Sequence, residues 1–153
     1  MTACAKQPAP GVTVDGREAE CLARAMYFES HRSSRDGMVA VGSVVMNRVD
    51  SEAYPGSVCA VVAQPGQFAP GVTSRPMTSR ALPLVREAAT SVLVGERHPL
   101  VGNAEFFHAA SYSAGYNNMH YVLVTGGNAF YEKRAPHLVK QPTPPRPIEG
   151  LTR

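Results

Sequence analysis

Residues 27–29 read Tyr27-Phe28-Glu29, a carboxylate directly behind two aromatic side chains. A carboxylate held among aromatic rings loses solvation, and its pKa rises. A carboxylic acid still protonated near neutrality is what a glycosidase uses to protonate a leaving oxygen. The ordinary alternative is a solvated glutamate at a helix end, since most helical glutamates face water. Further along, Gln67 offers an amide for sugar hydroxyls or acetamido groups, and Phe68 offers a face for a sugar ring. His108 sits in an aromatic segment, where a lone histidine either lines a cleft or packs in a core. Tyr112, Tyr116 and Tyr131 either stack on sugar rings or pack internally.

The elements that position these groups follow from periodicity. Ala19, Leu22, Ala23, Met26 and Tyr27 recur at helical spacing, so a core-facing helix over about 17–31 carries Glu29 near its end. Met38, Val41, Val44, Val45 and Val49 suggest a second helix over about 37–50, although that many valines also suit a buried strand. A loop at Pro55 precedes a short helix near 57–63. The segment from Gln64 to Pro76 holds three prolines and two glycines and reads as loop or hairpin. It is either a substrate-facing wall or a structural turn. Within 79–98 lies another helix, with Pro83 in its first turn and Gly95 at its C-terminal cap. Its apolar stripe is Leu84, Val85, Ala88, Ala89, Val92 and Leu93. Short strands are expected at 105–109, 120–124 and 128–131 around Gly115 and Gly126-Gly127. The expected organisation is a flexible leader over 1–16, one domain over 17–134 and an extended, mobile proline-rich tail over 135–153.

Four ordered blocks carry a resemblance. They are Cys21-Leu-Ala-Arg-Ala-Met-Tyr-Phe-Glu29, Val41-Gly-Ser-Val-Val-Met-Asn-Arg-Val49, Tyr54-Pro-Gly-Ser-Val-Cys-Ala-Val-Val62 and Gln64-Pro-Gly-Gln-Phe68. Together they resemble the spore-cortex-lytic (SleB-like) family of cell wall hydrolases over nearly the whole chain. The resemblance implies a mainly helical, lysozyme-like α+β fold with a small β region beside a substrate groove. It implies cleavage of peptidoglycan glycan strands between N-acetylmuramic acid and N-acetylglucosamine by a lytic transglycosylase. It implies Glu29 as the single acid and base; Gln67, Phe68, His108, Tyr112, Asn128 and Tyr131 are the residues expected to bind substrate in that groove. It also implies a disulfide between Cys21 and Cys59, against the alternative of two buried free thiols.

The chain departs from the family pattern in places. Ser30-His31-Arg32-Ser33 replaces the usual Ala-Arg-Gly-Glu after the acid, and Phe106 and Asn128 stand where the family shows histidines. The altered segment leaves room for a competing class, an inactive peptidoglycan-binding or structural module of the cell envelope. A paired-carboxylate hydrolase would need a second acid, for which Asp36, Asp50 and Glu52 are the candidates. A cysteine peptidase using Cys59 and His108 conflicts with the disulfide.

The whole chain has 153 residues, 44% of them hydrophobic, which suits one domain with its own core. Its net charge of +3 comes from scattered basic residues without a nucleic-acid motif, so no nucleic-acid partner is expected. Five histidines without an i, i+4 pair, and no Cys-x-x-Cys, argue against a metal or other cofactor. A disulfide would place the protein in an oxidising compartment, periplasmic or secreted. Cys4, in Met1-Thr-Ala-Cys4-Ala, suggests a lipid anchor, or else a plain terminal thiol.

Overall fold

The computed structural model describes residues 14–153; Cys4 and most of the expected leader lie outside them. Helix α1 runs Gly16–Glu29. Asp15 starts it, its carboxylate accepting from the Arg17 and Glu18 N–H groups. Leu22, Ala23, Ala25, Met26 and Tyr27 form its buried face. Ser30 ends it, its Oγ donating to the Met26 carbonyl at 2.7 Å.

Ser34 accepts from the Gly37 N–H and opens α2, Arg35–Val49. Twelve of the 15 residues of α2 are buried, so it is the central helix of the bundle. That position explains the valine content that made a strand plausible: it touches α1, α3, α4 and the sheet, and no face of it needs to be polar. Helix α3, Val58–Val62, is short, and its first N–H groups donate to the Glu18 carboxylate of α1. Cys21 and Cys59 are disulfide-bonded with Cα atoms 5.2 Å apart, locking α3 to α1. Helix α4, Leu82–Leu93, begins with Pro83 in its first turn and ends before Gly95, whose φ of 121° only glycine adopts easily.

Strands β1 (Phe106–Ala109), β2 (Met119–Thr125) and β3 (Asn128–Lys133) form one antiparallel sheet in the order β1-β3-β2. Gly126 and Gly127, with φ of 58° and 83°, make the two-residue turn that pairs Thr125 with Asn128. The sheet has two faces. Phe107, Leu123 and Phe130 join the helical core. Phe106, His108, Tyr121, Ala129 and Tyr131 lie on the other face, which holds a smaller apolar cluster with Met119 and Val124. The connection from β1 to β2 crosses this second face, where Ala114 packs against the cluster.

The tail is extended, as its prolines require, but it is docked rather than mobile. The Tyr121 N–H donates to the Gln141 carbonyl and the Ile148 N–H to the Val124 carbonyl, so the tail runs along the free edge of β2. Glu149 accepts from the Ser34 hydroxyl at 2.6 Å and from the Gly126 N–H at 2.8 Å. Asp36 accepts from the N–H groups of Leu151 and Thr152 and from the Thr152 hydroxyl. The Ser34–Glu149 pair and the Asp36 pairs with Leu151 and Thr152 span more than 100 residues of sequence, and no local pattern signals them.

Candidate active site

Glu29 is the last residue of α1, partly exposed, and its two carboxylate oxygens are in different situations. Oε2 accepts from the Ala69 N–H at 2.6 Å, and among the described residues Oε1 has no hydrogen-bond partner. Burial raises the pKa of this carboxyl, and the Ala69 N–H opposes part of the rise. The cause is desolvation, as expected from Tyr27 and Phe28, rather than repulsion by another carboxylate. The backbone behind the acid is fixed as well: the Asn128 Nδ2 group donates to the Glu29 carbonyl at 2.7 Å. The His31 N–H donates to the Gly126 carbonyl, so the segment after the acid is tied to the β2–β3 turn.

Within that altered segment, Arg32 lies over the Tyr27 ring at 3.8 Å and donates to the Tyr27 carbonyl. The Tyr27 hydroxyl in turn accepts from the N–H groups of Thr78 and Ser79. The Gln64–Pro76 loop supplies the opposite side of the acid through Ala69, which places Gln67 and Phe68 immediately beside that contact. Phe68 packs on Phe107, and Phe107 on Phe130.

Asn128 thus bonds the Glu29 backbone, and Gln67 and Phe68 lie two and one positions before Ala69, whose N–H meets the Glu29 carboxylate. His108, Tyr112 and Tyr131 gather elsewhere, on the second face of the sheet. There His108 Nε2 and the Tyr121 hydroxyl share a 2.8 Å hydrogen bond, and His108 packs against Tyr112 and Tyr131. The alternation of a strand separates the two groups: Phe107 points to the core, and its neighbours Phe106 and His108 point away.

Arg48 connects the two groups and was not singled out from sequence. It is buried, donates to the Glu105 carbonyl at 2.8 Å and to Gln67 Oε1 at 3.2 Å, and lies against the rings of Tyr54, Phe68 and Phe106. Burial lowers its pKa, with partial compensation from Tyr54, Glu105 and Tyr131. Its signal was present: Arg48 falls at i+7 on the stripe of Val41, Val44 and Val45, a charged residue on a buried face.

Of the candidate second acids, Asp36 is 2% exposed and engaged by the tail and by His98. Asp50 caps α2, and Asp50 and Glu52 are exposed on the surface that follows that helix. A cavity of about 420 Å³ lies against the disulfide, between the first half of α1 and Val62 and Thr73, and excludes Glu29 from its lining.

Residues 32–131 match the model of a family described as Cell Wall Hydrolase. The chain belongs to that family. The matched stretch begins three positions after Glu29, so the assignment of the acid rests on its helix, its loop contact and the resemblance in the Tyr-Phe-Glu block. The spore cortex-lytic enzyme of Bacillus subtilis (strain 168) is 33% identical over 67 residues, covering 41% of this chain. The chain spans only 22% of the length of that relative. Two solved structures share the fold. The catalytic domain of the germination-specific lytic transglycosylase SleB from Bacillus anthracis matches with a TM-score of 0.64 at 24% identity. That match covers 78% of this chain and 97% of that one. The catalytic domain of the Bacillus cereus SleB protein matches with a TM-score of 0.64 at 23% identity, over 78% of this chain and 93% of that one. The expected α+β, mainly helical fold with its small sheet is thus the fold observed.

Proposed function

We propose that the protein cleaves peptidoglycan glycan strands between N-acetylmuramic acid and N-acetylglucosamine as a lytic transglycosylase, with Glu29 as the single acid and base. The observation that carries this reading is the state of Glu29. Its carboxyl has one oxygen held by a backbone N–H and the other open, and burial holds its proton to higher pH than usual. Protonated Glu29 gives its proton to the glycosidic oxygen as the bond from muramic C1 breaks, and the N-acetylglucosamine side leaves with a free 4-hydroxyl. The resulting carboxylate then takes the proton of the muramic C6 hydroxyl while that oxygen bonds to C1. A 1,6-anhydro ring closes, the acid is regenerated and no water is consumed. One carboxylate suffices for both steps, which fits the engagement of Asp36 by the tail.

Gln67 and Phe68 are placed to meet a sugar next to the scissile bond, with Arg48 orienting the Gln67 amide from behind. Asn128 serves the acid through its backbone, and His108, Tyr112 and Tyr131 extend the binding surface. The disulfide fits an oxidising envelope compartment, and among the described residues no helix is long and apolar enough to cross a membrane. Cys4 as a lipid anchor remains part of the same proposal.

Mass spectrometry of muropeptides released from purified sacculi tests the reading. Products ending in 1,6-anhydro-muramic acid are expected, about 18 mass units (one water) below the hydrolysed form. Reducing-end products would make the protein a hydrolase. No release would favour the binding-module reading.

A further inference from the structure

The second face of the sheet carries a cavity whose lining does not include Glu29. It holds about 400 Å³, at the low end of the range for small-ligand sites. The 110–116 crossover forms one wall, Pro142–Pro144 of the docked tail form the other, and Tyr121 lies between them. Tyr112 and Tyr116 border it and are 56% and 71% exposed, the two most exposed large hydrophobic side chains of the described residues. Gly115, with φ of 75°, makes the bend that separates them from each other.

We propose that this cavity is a second saccharide site, for an N-acetylated hexopyranose of a glycan strand, remote from the cleaved bond. Its chemistry points to a sugar. No charged side chain lines it, which disfavours the carboxylate- and amine-bearing stem peptides of a cell wall. Tyrosine faces suit the apolar C–H faces of a pyranose, and the Ser111, Ser113 and Thr143 hydroxyls suit its ring hydroxyls. Its position points to the same strand. An unbroken series of contacts leads from the acid's loop to the cavity. Phe68 and Phe106 share Arg48, Phe106 stacks on Tyr131 at 5.5 Å, Tyr131 meets His108 at 5.7 Å, and His108 meets Tyr112 at 5.4 Å. The tail wall lies beyond residue 131, where the family match ends, while the 110–116 wall and Tyr121 lie within it.

The inference rests on the glycan-cleavage reading only for the identity of the polymer, and the experiment separates the two. Chitotetraose is titrated into the Glu29→Gln protein, and the tyrosine ring resonances are followed by NMR. The expected result is saturable shifts at Tyr112 and Tyr116. Tyr116→Ala should weaken binding about tenfold and Tyr116→Phe should retain it, because stacking survives loss of the hydroxyl. Tyr116 is mostly exposed, so neither variant threatens the fold. An unlabelled stem tripeptide run in parallel should leave both tyrosines unmoved. Absence of shifts at these tyrosines, equal binding by Tyr116→Ala, or shifts with the tripeptide alone would each overturn the second site. Anhydro products from the wild-type protein in that case would leave the assignment of Glu29 standing.

Discussion

Replacing Glu29 by Gln should abolish cleavage and, at neutral pH, stabilise the protein. The first effect is chemical. Glutamine keeps the size of the side chain and accepts the Ala69 N–H through its own Oε1, but it gives no proton to a leaving oxygen. Loss of a general acid costs about 10²–10⁴ in rate, or roughly 2.7–5.5 kcal/mol of barrier. The second effect is linkage. The Glu29 pKa is raised in the folded state, so the folded chain prefers the protonated acid. That preference contributes stability below the unfolded pKa and is lost as the pH rises through the folded one. Above the folded pKa the wild-type chain therefore carries a partly desolvated charge that the variant lacks. Relief of such active-site strain is commonly worth about 1 kcal/mol, or roughly 2–4 °C in a chain of this length. The advantage should vanish near pH 4, where the wild-type acid is protonated. Muropeptide release followed by chromatography reads the activity, and thermal melts at pH 7.5 and 4 read the stability. Residual activity above about a tenth of wild type, or a variant less stable than wild type at pH 7.5, would refute the reasoning.

Other outcomes follow from the same contacts. The Cys21–Cys59 bond spans 38 positions, so the loop-entropy model gives it about 4 kcal/mol, and Cys21→Ser with Cys59→Ser should melt roughly 12 °C lower; a shift under about 3 °C would contradict this. A Cβ at Gly37 would meet the Gly126 Cα at 2.6 Å and Ser30 Cβ at 3.2 Å, so Gly37→Ala should cost about 1–3 kcal/mol in urea unfolding and also lower activity; a neutral change would argue against this close crossing. Burial lowers the His98 pKa against the pull of Asp36, so stability is present above the unfolded value and is lost as the pH falls from about 6.5, by up to about 1.4 kcal/mol per pH unit. Burial alone would raise the Asp36 carboxyl, but the Thr152 hydroxyl, the Leu151 and Thr152 N–H groups and His98 hold it below its usual range. Its contribution is therefore lost only at still lower pH, as the pH falls through its folded value. Urea melts from pH 7.5 to 4 in the Glu29→Gln background, where the opposing titration of Glu29 is absent, should show falling stability; a flat profile would contradict it.

The sequence was legible where the physics is local. The α1 stripe placed Glu29 at a helix end behind two aromatics, and α1 does end at Glu29. Pro83 and Gly95 bounded α4 because each fixes a backbone angle by itself. The paired glycines at 126–127 announced the hairpin for the same reason. The order β1-β3-β2 had no such local sign, since strand order depends on which edges meet after the helices have packed. That order, combined with strand alternation, assigned His108 and Tyr131 to the face away from Asn128 and Phe130. The docking of the tail was hidden for a related reason: Glu149 meets Ser34 and Thr152 meets Asp36 across more than 100 residues, and proline content reports extension but not attachment.

The small sheet therefore does two jobs. Through Asn128 and Phe107 one face steadies the end of α1 and the Gln64–Pro76 loop, the two segments that meet at the Glu29 carboxyl. The other face presents a row of rings that ends in exposed tyrosines. Arg48 lies where the two meet, at the β1 edge, and its burial among Tyr54, Phe68 and Phe106 has a physical cost offset by two hydrogen bonds and by ring contacts. A buried guanidinium with no carboxylate at salt-bridge distance among the described residues is an expensive way to fill space, because an apolar residue of similar volume is often as stable or more so. The contacts of Arg48 account for it better than packing does. One group donates to the Gln67 amide oxygen, two positions before the Ala69 contact with Glu29, and also lies against the Phe106 ring that begins the second face, so a single side chain fixes the two surfaces relative to each other.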